Sequence, residues 1–235
     1  MPTRSRVLLW STLSGLLWAL AWPAIGGVTW VAFVAWLPML HAERLHEQRT
    51  TDRKRAFFPY VLLGLLLWNA FTTYWFYLVS EPMTTKLVSV GVPVIGNTLL
   101  MGIPWWLRRV VKRRLDTRWA DAALVATWLA YERLHHSWDL QWPWLSIGNV
   151  FGTQPAWVQW YEFTGMFGGT LWVWVVALVL NAVIARWGTM RRSAMRFGIA
   201  AFGLLAIPFA ISAWLDFARM QFHKRGGIEV VVVQP

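Results

Sequence analysis

Residues 128–170, WLAYERLHHSWDLQWPWLSIGNVFGTQPAWVQWYEFTGMFGGT, differ from the long apolar segments on either side of them. They include six of the chain's twenty tryptophans. Pro143 and Pro155 interrupt any helix here, because proline lacks an amide N–H and its ring clashes with the preceding turn. Non-helical backbone among apolar residues of a membrane protein must be buried in protein or line a wet cavity, since lipid offers no hydrogen bonds. This stretch therefore predicts a site built among membrane helices.

The composition places the whole chain in the class of polytopic helical membrane proteins. Of the 235 residues 57% are hydrophobic, the mean hydropathy is +0.43, and charged residues lie in short clusters between apolar runs. A net charge of +11 on a soluble surface would suggest nucleic acid. Basic clusters beside membrane helices more often set orientation and contact anionic lipid, so we expect no nucleic-acid partner.

Seven apolar runs predict an all-α fold, a bundle of about seven transmembrane helices with a re-entrant segment at the outer face. The second run is short, and the fourth contains Pro93 and Pro104, which should kink it. The runs cover residues 7–22, 27–40, 57–79, 87–107, 119–134, 168–184 and 197–217.

The positions of lysine and arginine predict the orientation. If all seven runs cross, 17 of the 22 basic residues fall on one side, and cytoplasmic loops carry such an excess. The second run must cross for this sorting to hold, so we expect it to extend toward Leu45. The N-terminus is then cytoplasmic, the C-terminus periplasmic, and the stretch around Pro143 lies at the outer face.

The C-terminal residues predict a second domain. After Gly226 and Gly227, the β-branched run 228–233 is typical of a buried strand, and one strand is not stable alone. We therefore assign residues 1–225 to a transmembrane domain and 226–235 to the start of a truncated soluble domain.

The densest group of acid, base and hydroxyl side chains is Glu132, His135, His136, Ser137 and Ser146. A Ser–His–acid triad is recognised by geometry, which spacing does not supply, and these residues are typical of a wet loop at a helix end. Two adjacent histidines without a third ligand make a poor zinc site. We expect no metal and no cofactor, and the absence of cysteine removes any thiol nucleophile.

Short motifs follow one another along nearly the whole chain. They are Leu13-Ser14-Gly15, Ala21-Trp22-Pro23, Tyr131-Glu132-Arg133, Trp142-Pro143-Trp144-Leu145 with Gly148-Asn149, Gln159-Trp160-Tyr161-Glu162-Phe163-Thr164-Gly165 with Gly168-Gly169, Asn181, and Gln234-Pro235. In this order and spacing the chain resembles apolipoprotein N-acyltransferase, and in particular the N-terminal membrane domain of that family.

The resemblance implies a multi-pass enzyme of the bacterial inner membrane that transfers an acyl chain from a phospholipid to the diacylglyceryl cysteine of a lipoprotein. In that family an outer nitrilase-like domain supplies a Glu, Lys and Cys triad and forms a thioester. None of the triad can be placed here, so we expect no catalytic residue in this chain and no activity of the chain alone. The implied partners are a phospholipid acyl donor, a diacylglyceryl lipoprotein, membrane lipids, and the nitrilase-like domain of the full-length protein.

The predicted substrate site is a lipid slot around Trp142, Pro143 and Trp144, because rigid aromatic rings on a re-entrant segment would shape an apolar slot for acyl chains. Simple packing of these rings is the alternative. Asn149, Glu132 and Glu162 complete the predicted slot. A carboxylate at mid-bilayer costs about 2.5–3.5 kcal/mol, so Glu132 should be paired, with either an orienting role or contact with substrate.

Other tryptophans favour the headgroup level, where indole rings anchor membrane helices. We assign this role to Trp10, Trp30, Trp75, Trp105, Trp106, Trp119, Trp187 and Trp214.

Two other functional classes stay open. One is a non-catalytic membrane anchor or scaffold for a separately encoded enzyme. The other is a small transporter, for which Asn69, Asn97 and Asn181 are the few polar candidates within the runs, although no internal repeat supports it.

Overall fold

A computed structural model describes residues 3–49, 56–78, 80, 82–139 and 141–222, and this part of the chain is helical without a β strand. Within these described ranges, three helices are long and apolar enough to cross a membrane. These observations confirm a helical membrane domain, whereas the predicted strand at 228–233 and the boundary at 225 lie outside the described residues. The α-helices are α1 (Arg4–Ala21), α2 (Ala32–Ala35), α3 (Leu37–Arg49), α4 (Phe58–Thr72), α5 (Met83–Lys112), α6 (Thr117–Leu134), α7 (Tyr161–Arg186) and α8 (Arg191–Phe222).

Two predicted runs differ from the helices that form. The second is divided into a 3-10 turn (Thr29–Val31), α2 and α3. The third does not continue as α-helix beyond α4, where the hydroxyls of Thr72 and Thr73 donate back to the carbonyls of Trp68 and Asn69, each at 2.7 Å. Such back-bonding competes with regular helix, and the chain continues as a 3-10 turn, Tyr74–Leu78.

Tryptophans from several helices meet at the centre of the bundle and form what we call the core tryptophan cluster: Trp18, Trp36, Trp68, Trp128 and Trp174, each at most 1% exposed. Trp36 stacks on Trp174 with ring centroids 4.7 Å apart, and Trp18 stacks on Trp68 at 4.6 Å. Aromatic pairs of this kind add about 0.5–1.5 kcal/mol beyond the area they bury.

Trp105 on α5 packs against this cluster. It is 3% exposed, and its ring lies 5.4 Å from Trp36 and 5.9 Å from Trp174. Its prediction as an interface anchor is therefore wrong, because it faces the bundle interior. Its neighbour Trp106 is 54% exposed, as an anchor requires.

A buried ion network fastens α3, α5 and α6 at the end of the bundle that carries the basic loops. Arg108 is 2% exposed and donates to Glu43 and, at 2.7 and 2.9 Å, to Asp121. Lys112 lies 3.3 Å from Glu43 and 2.8 Å from Glu47. A buried cation is tolerated only with such partners, and removing one of them costs about 3–5 kcal/mol.

Two of the amides that the transporter alternative invoked bond to each other. The Nδ2 of Asn97 donates to the Oδ1 of Asn69 at 2.6 Å, and Asn69 donates to the carbonyl of Leu65 at 2.9 Å. The hydroxyl of Tyr131 also donates to Asn97. Both amides are buried, so their polar atoms are used to connect α4, α5 and α6.

Candidate functional site

The segment between α6 and α7 contains three short 3-10 turns, Pro143–Leu145, Ile147–Phe151 and Pro155–Trp157. Two of these turns begin with proline, whose missing N–H would have no partner at that position anyway. Ile147, Gly148, Val150 and Phe151 are buried in the bundle. The middle turn of this irregular segment is thus surrounded by protein, whereas the turns on either side of it are partly exposed.

Glu132 fixes this segment to the bundle from the last turn of α6. It is 1% exposed, and its Oε1 accepts hydrogen bonds from the indole of Trp128 at 2.9 Å and from the backbone N–H of Ile147 at 2.8 Å. Its Oε2 accepts a bond from the hydroxyl of Thr170 on α7 at 2.6 Å. The carboxylate therefore joins α6, the loop and α7, and this geometry favours the orienting role over substrate contact.

Gly148 brings the loop against α7. Its N–H donates to the hydroxyl of Thr170 at 3.0 Å, and its carbonyl accepts a bond from the hydroxyl of Tyr161 at 2.9 Å. A Cβ at this position would collide with the carbonyl of Met166, so the close approach requires glycine. Gly165, with φ of +60°, offsets the first turn of α7, which carries Tyr161.

Asn149 holds the Trp142-Pro143-Trp144 element in place. Its Nδ2 donates to the carbonyls of Pro143 at 3.0 Å and Trp144 at 3.5 Å. Trp142 stacks on Phe76 with centroids 5.3 Å apart. Trp144 remains 55% exposed, so this part of the loop presents an aromatic ring instead of burying it.

Trp144 lies beside a cavity of about 350 Å³, which is in the size range of small-molecule pockets. Its ring is 5.6 Å from that of Trp75, on the 3-10 turn after α4. We call Trp22, Trp75, Trp142 and Trp144 the aromatic rim. The cavity is lined by Trp22, Ala24, Thr72, Thr73, Tyr74, Trp75, Trp144 and Leu145.

Sequence reasoning missed the contribution of Trp22 and Trp75 to this cavity, and assigned Trp75 to the interface anchors. No local signal marks Trp75, because the hydroxyl back-bonding of the preceding threonines also occurs at Thr98 and Thr127, inside helices that continue unbroken.

Glu162 lies apart from the aromatic rim, in a contact between α7 and α8. It forms an ion pair with Arg219, in which the two side chains are 41% and 40% exposed. Arg219 also donates to the side chain of Gln159. The structure therefore brings Asn149 and Trp144 together and bonds Glu132 to Ile147 in the same loop. Of the predicted slot residues, Trp144 lines the cavity, whereas Trp142, Pro143, Asn149, Glu132 and Glu162 lie outside its lining.

The hydroxyl and imidazole groups near Glu132 are arranged separately from its carboxylate. The Oγ of Ser146 lies 3.5 Å from the Nε2 of His136, while both oxygens of Glu132 bond to other groups. His135 packs edge-on against Tyr131 and Trp138. Burial, and then the nearby His136, lowers the pKa of His135 and favours its neutral form.

Comparisons with known proteins agree with the resemblance. Residues 14–179 match the sequence model of the apolipoprotein N-acyltransferase N-terminal domain, a range that includes Glu132, the Trp142-Pro143-Trp144 element and Asn149. An apolipoprotein N-acyltransferase of Chlorobaculum tepidum is 27% identical over 234 residues, covering 95% of this chain. The chain spans 40% of the length of that relative. No solved structure matches the chain.

Proposed function

Because the chain belongs to the apolipoprotein N-acyltransferase family through its N-terminal domain, we propose that it is the lipid-binding membrane part of such an enzyme. It holds acyl chains of a phospholipid donor and of a diacylglyceryl lipoprotein at the outer leaflet of the bacterial inner membrane. It presents them to a nitrilase-like domain, which supplies the Glu, Lys and Cys triad. Trp144 lines the slot and Trp142 and Pro143 precede it in the same loop. Asn149 and Glu132 position this loop, whereas Glu162 pairs with Arg219 outside the cavity lining.

The observation that supports this proposal most strongly is the open aromatic cavity beside Trp144. An indole ring that is 55% exposed, packs against Trp75 and lines the same cavity offers a rigid apolar wall. Contact between such a wall and an acyl chain is favourable through van der Waals packing, since lipid tails are themselves apolar and are not removed from water when they enter the slot. Asn149 fixes the wall in advance, so less conformational entropy is lost when lipid binds.

The orientation that we propose has seven crossings, a cytoplasmic N-terminus and the aromatic rim at the periplasmic face. Its support is the distribution of basic residues together with α6, whose 18 residues span about 27 Å. The basic loop around Arg114 precedes α6, and the loop with Asp139 follows it. The two loops thus lie at opposite ends of a helix nearly as long as the bilayer core is thick.

We test the orientation with single cysteines in this cysteine-free chain. The two variants are Arg114→Cys and Asp139→Cys, because both of these residues are exposed. A membrane-impermeant maleimide added to right-side-out vesicles should label Asp139→Cys alone, and Arg114→Cys should label only after the membrane is permeabilised. Labelling of both from the same side would contradict the proposed topology and the location of the rim.

Acyl transfer is tested in a chimera that joins this chain to the remaining C-terminal part of the Chlorobaculum tepidum relative. We expect transfer from phospholipid to a diacylglyceryl peptide. In the chimera Trp144→Ala should raise the apparent KM several-fold at an unchanged melting temperature, since the side chain contacts substrate instead of the core. The matched control is Trp214→Ala, an exposed tryptophan on α8 outside the cavity lining.

The C. tepidum protein itself serves as the positive control. A chimera that melts as a folded protein but transfers no acyl group, beside an active C. tepidum enzyme, would contradict the proposed function. Equal KM values for the Trp144→Ala and Trp214→Ala chimeras would show that Trp144 does not contact substrate.

A further inference from the structure

A cavity of about 940 Å³ lies at the basic end of the bundle, away from the aromatic rim. Its long walls are apolar and come from α6 and α7. On α7 the lining runs from Leu171 to Arg186, which is about 22 Å of helix. Small side chains, among them Ala122, Ala126 and Ala185, leave the space between the two helices open and are themselves exposed. An exposed apolar cleft of this length along a membrane bundle has the dimensions of an acyl chain.

The mouth of this cleft is cationic. The carboxylates that line it are already engaged, because Arg108 pairs with Glu43 and Asp121, and Lys112 pairs with Glu43 and Glu47. Because these carboxylates are already paired, they do not neutralise the other basic residues that line the cleft.

Arg44 and Arg186 are two lining cations without a carboxylate partner among the residues that the structure describes. Arg44 on α3 donates to the side-chain oxygen of Asn181. Arg186 donates to the carbonyl of Ala182 at 3.3 Å, and its guanidinium lies 4.7 Å from the ring centroid of Phe197. Asn181 and Ala182 are adjacent on α7, so Arg44 reaches this turn from α3, while Arg186 folds back onto it from the last turn of α7 itself.

We propose that this cleft binds one anionic phospholipid from the leaflet at the basic end of the bundle, with its phosphate between Arg44 and Arg186 and an acyl chain between α6 and α7. Guanidinium groups match the geometry of phosphate oxygens, and basic pockets between membrane helices bind anionic headgroups. The apolar path is long enough for the tail, because a further cavity of about 510 Å³ shares Leu129 and Leu171 with the cleft.

The apolar walls distinguish a lipid from a soluble anion as the occupant. A free phosphate would use only the cationic mouth and leave the long cleft between α6 and α7 unfilled. The site is also separate from the aromatic rim, since the two cavities share no lining residue. A variant that loses lipid binding in the cleft can therefore be distinguished from one that loses acyl transfer at the aromatic rim.

The test is native mass spectrometry of the detergent-purified chain, titrated with dioleoylphosphatidylglycerol or with zwitterionic dioleoylphosphatidylcholine. We expect the first molecule of dioleoylphosphatidylglycerol to bind about thirtyfold more tightly than the first molecule of dioleoylphosphatidylcholine. Two nearby cations imply a difference of this size. Arg44→Gln with Arg186→Gln should remove this preference. Arg44→Lys with Arg186→Lys should keep most of it, because the charge remains.

Two further variants complete the design. Arg4→Gln with Arg6→Gln removes the same charge from exposed residues outside the cleft and should leave the preference unchanged. Ala126→Phe fills the cleft, leaves both arginines in place, and should weaken the binding of both lipids.

The proposal is overturned if the parent chain shows no preference for the anionic lipid, or if the double glutamine variant binds it as the parent does. It is also overturned if excess inorganic phosphate displaces the lipid fully, because the cleft would then be a simple anion site. If the double glutamine variant melts early, its lipid binding is not informative. The double lysine variant, which should keep the preference, and Ala126→Phe, which should weaken binding of both lipids, then decide the result.

Discussion

The core tryptophan cluster and the aromatic rim use the same residue type in two different ways. The core rings come mainly from α-helices, are at most 1% exposed and stack on one another. In the rim, Trp144 is 55% exposed, follows a proline in a 3-10 turn, and depends on Asn149 for its position. The difference teaches that the core rings stabilise the fold, while Trp144 in the rim is held ready for contact. Substitutions in the two regions should therefore affect different measurements.

The largest expected effect belongs to the core. Trp128→Ala removes a fully buried indole and its hydrogen bond to Glu132, and should lower the free energy of unfolding by about 3–5 kcal/mol. The measurement is thermal unfolding in detergent, with Trp119→Ala on the same helix as the control, since Trp119 is 55% exposed. If both variants melted alike, the division between core and surface tryptophans would be wrong.

A more local effect is expected at the connection between the two regions. Glu132→Ala leaves the N–H of Ile147 and the hydroxyl of Thr170 without their acceptor, and each unsatisfied buried donor costs about 1–3 kcal/mol. Hydrogen exchange of the Ile147 amide should accelerate more than that of amides around Trp174.

The matched control for Glu132 is Glu162→Ala. That residue belongs to a half-exposed ion pair, and such pairs contribute about 0–1 kcal/mol. An exchange rate at Ile147 that is the same in both variants would contradict the role of Glu132 in fixing the loop.

Local sequence signals predicted the parts of the fold that depend on local chemistry. Pro143 and Pro155 indicated the irregular segment, and the apolar run 119–134 corresponds to α6 (Thr117–Leu134). The inward orientation of Trp105 could not be predicted, because lipid-facing residues are as apolar as buried ones. On α5, Leu99 is 50% exposed and Met101 is fully buried, although both are hydrophobic.

The candidate site was predictable only where its residues are close in sequence. Asn149 and Trp144 share one loop, and the sequence assigned both to the slot. Trp75 reaches the same cavity from another part of the chain, and Thr170 meets Glu132 across 38 positions. These long-range pairs form only when α4, α6 and α7 pack together, so no local pattern predicts them.

The central claim is that the aromatic rim is a specific lipid slot. The most direct test is photo-crosslinking of the chain in nanodiscs with a phospholipid that carries a diazirine in its acyl chain, mapped by mass spectrometry. General lipid exposure is measured at Trp214, which is 66% exposed on α8. Excess diacylglyceryl peptide should reduce labelling at Trp144 and Trp75 several-fold and leave labelling at Trp214 unchanged. Labelling at Trp144 that the peptide does not reduce, or that falls equally at Trp214, would contradict the claim.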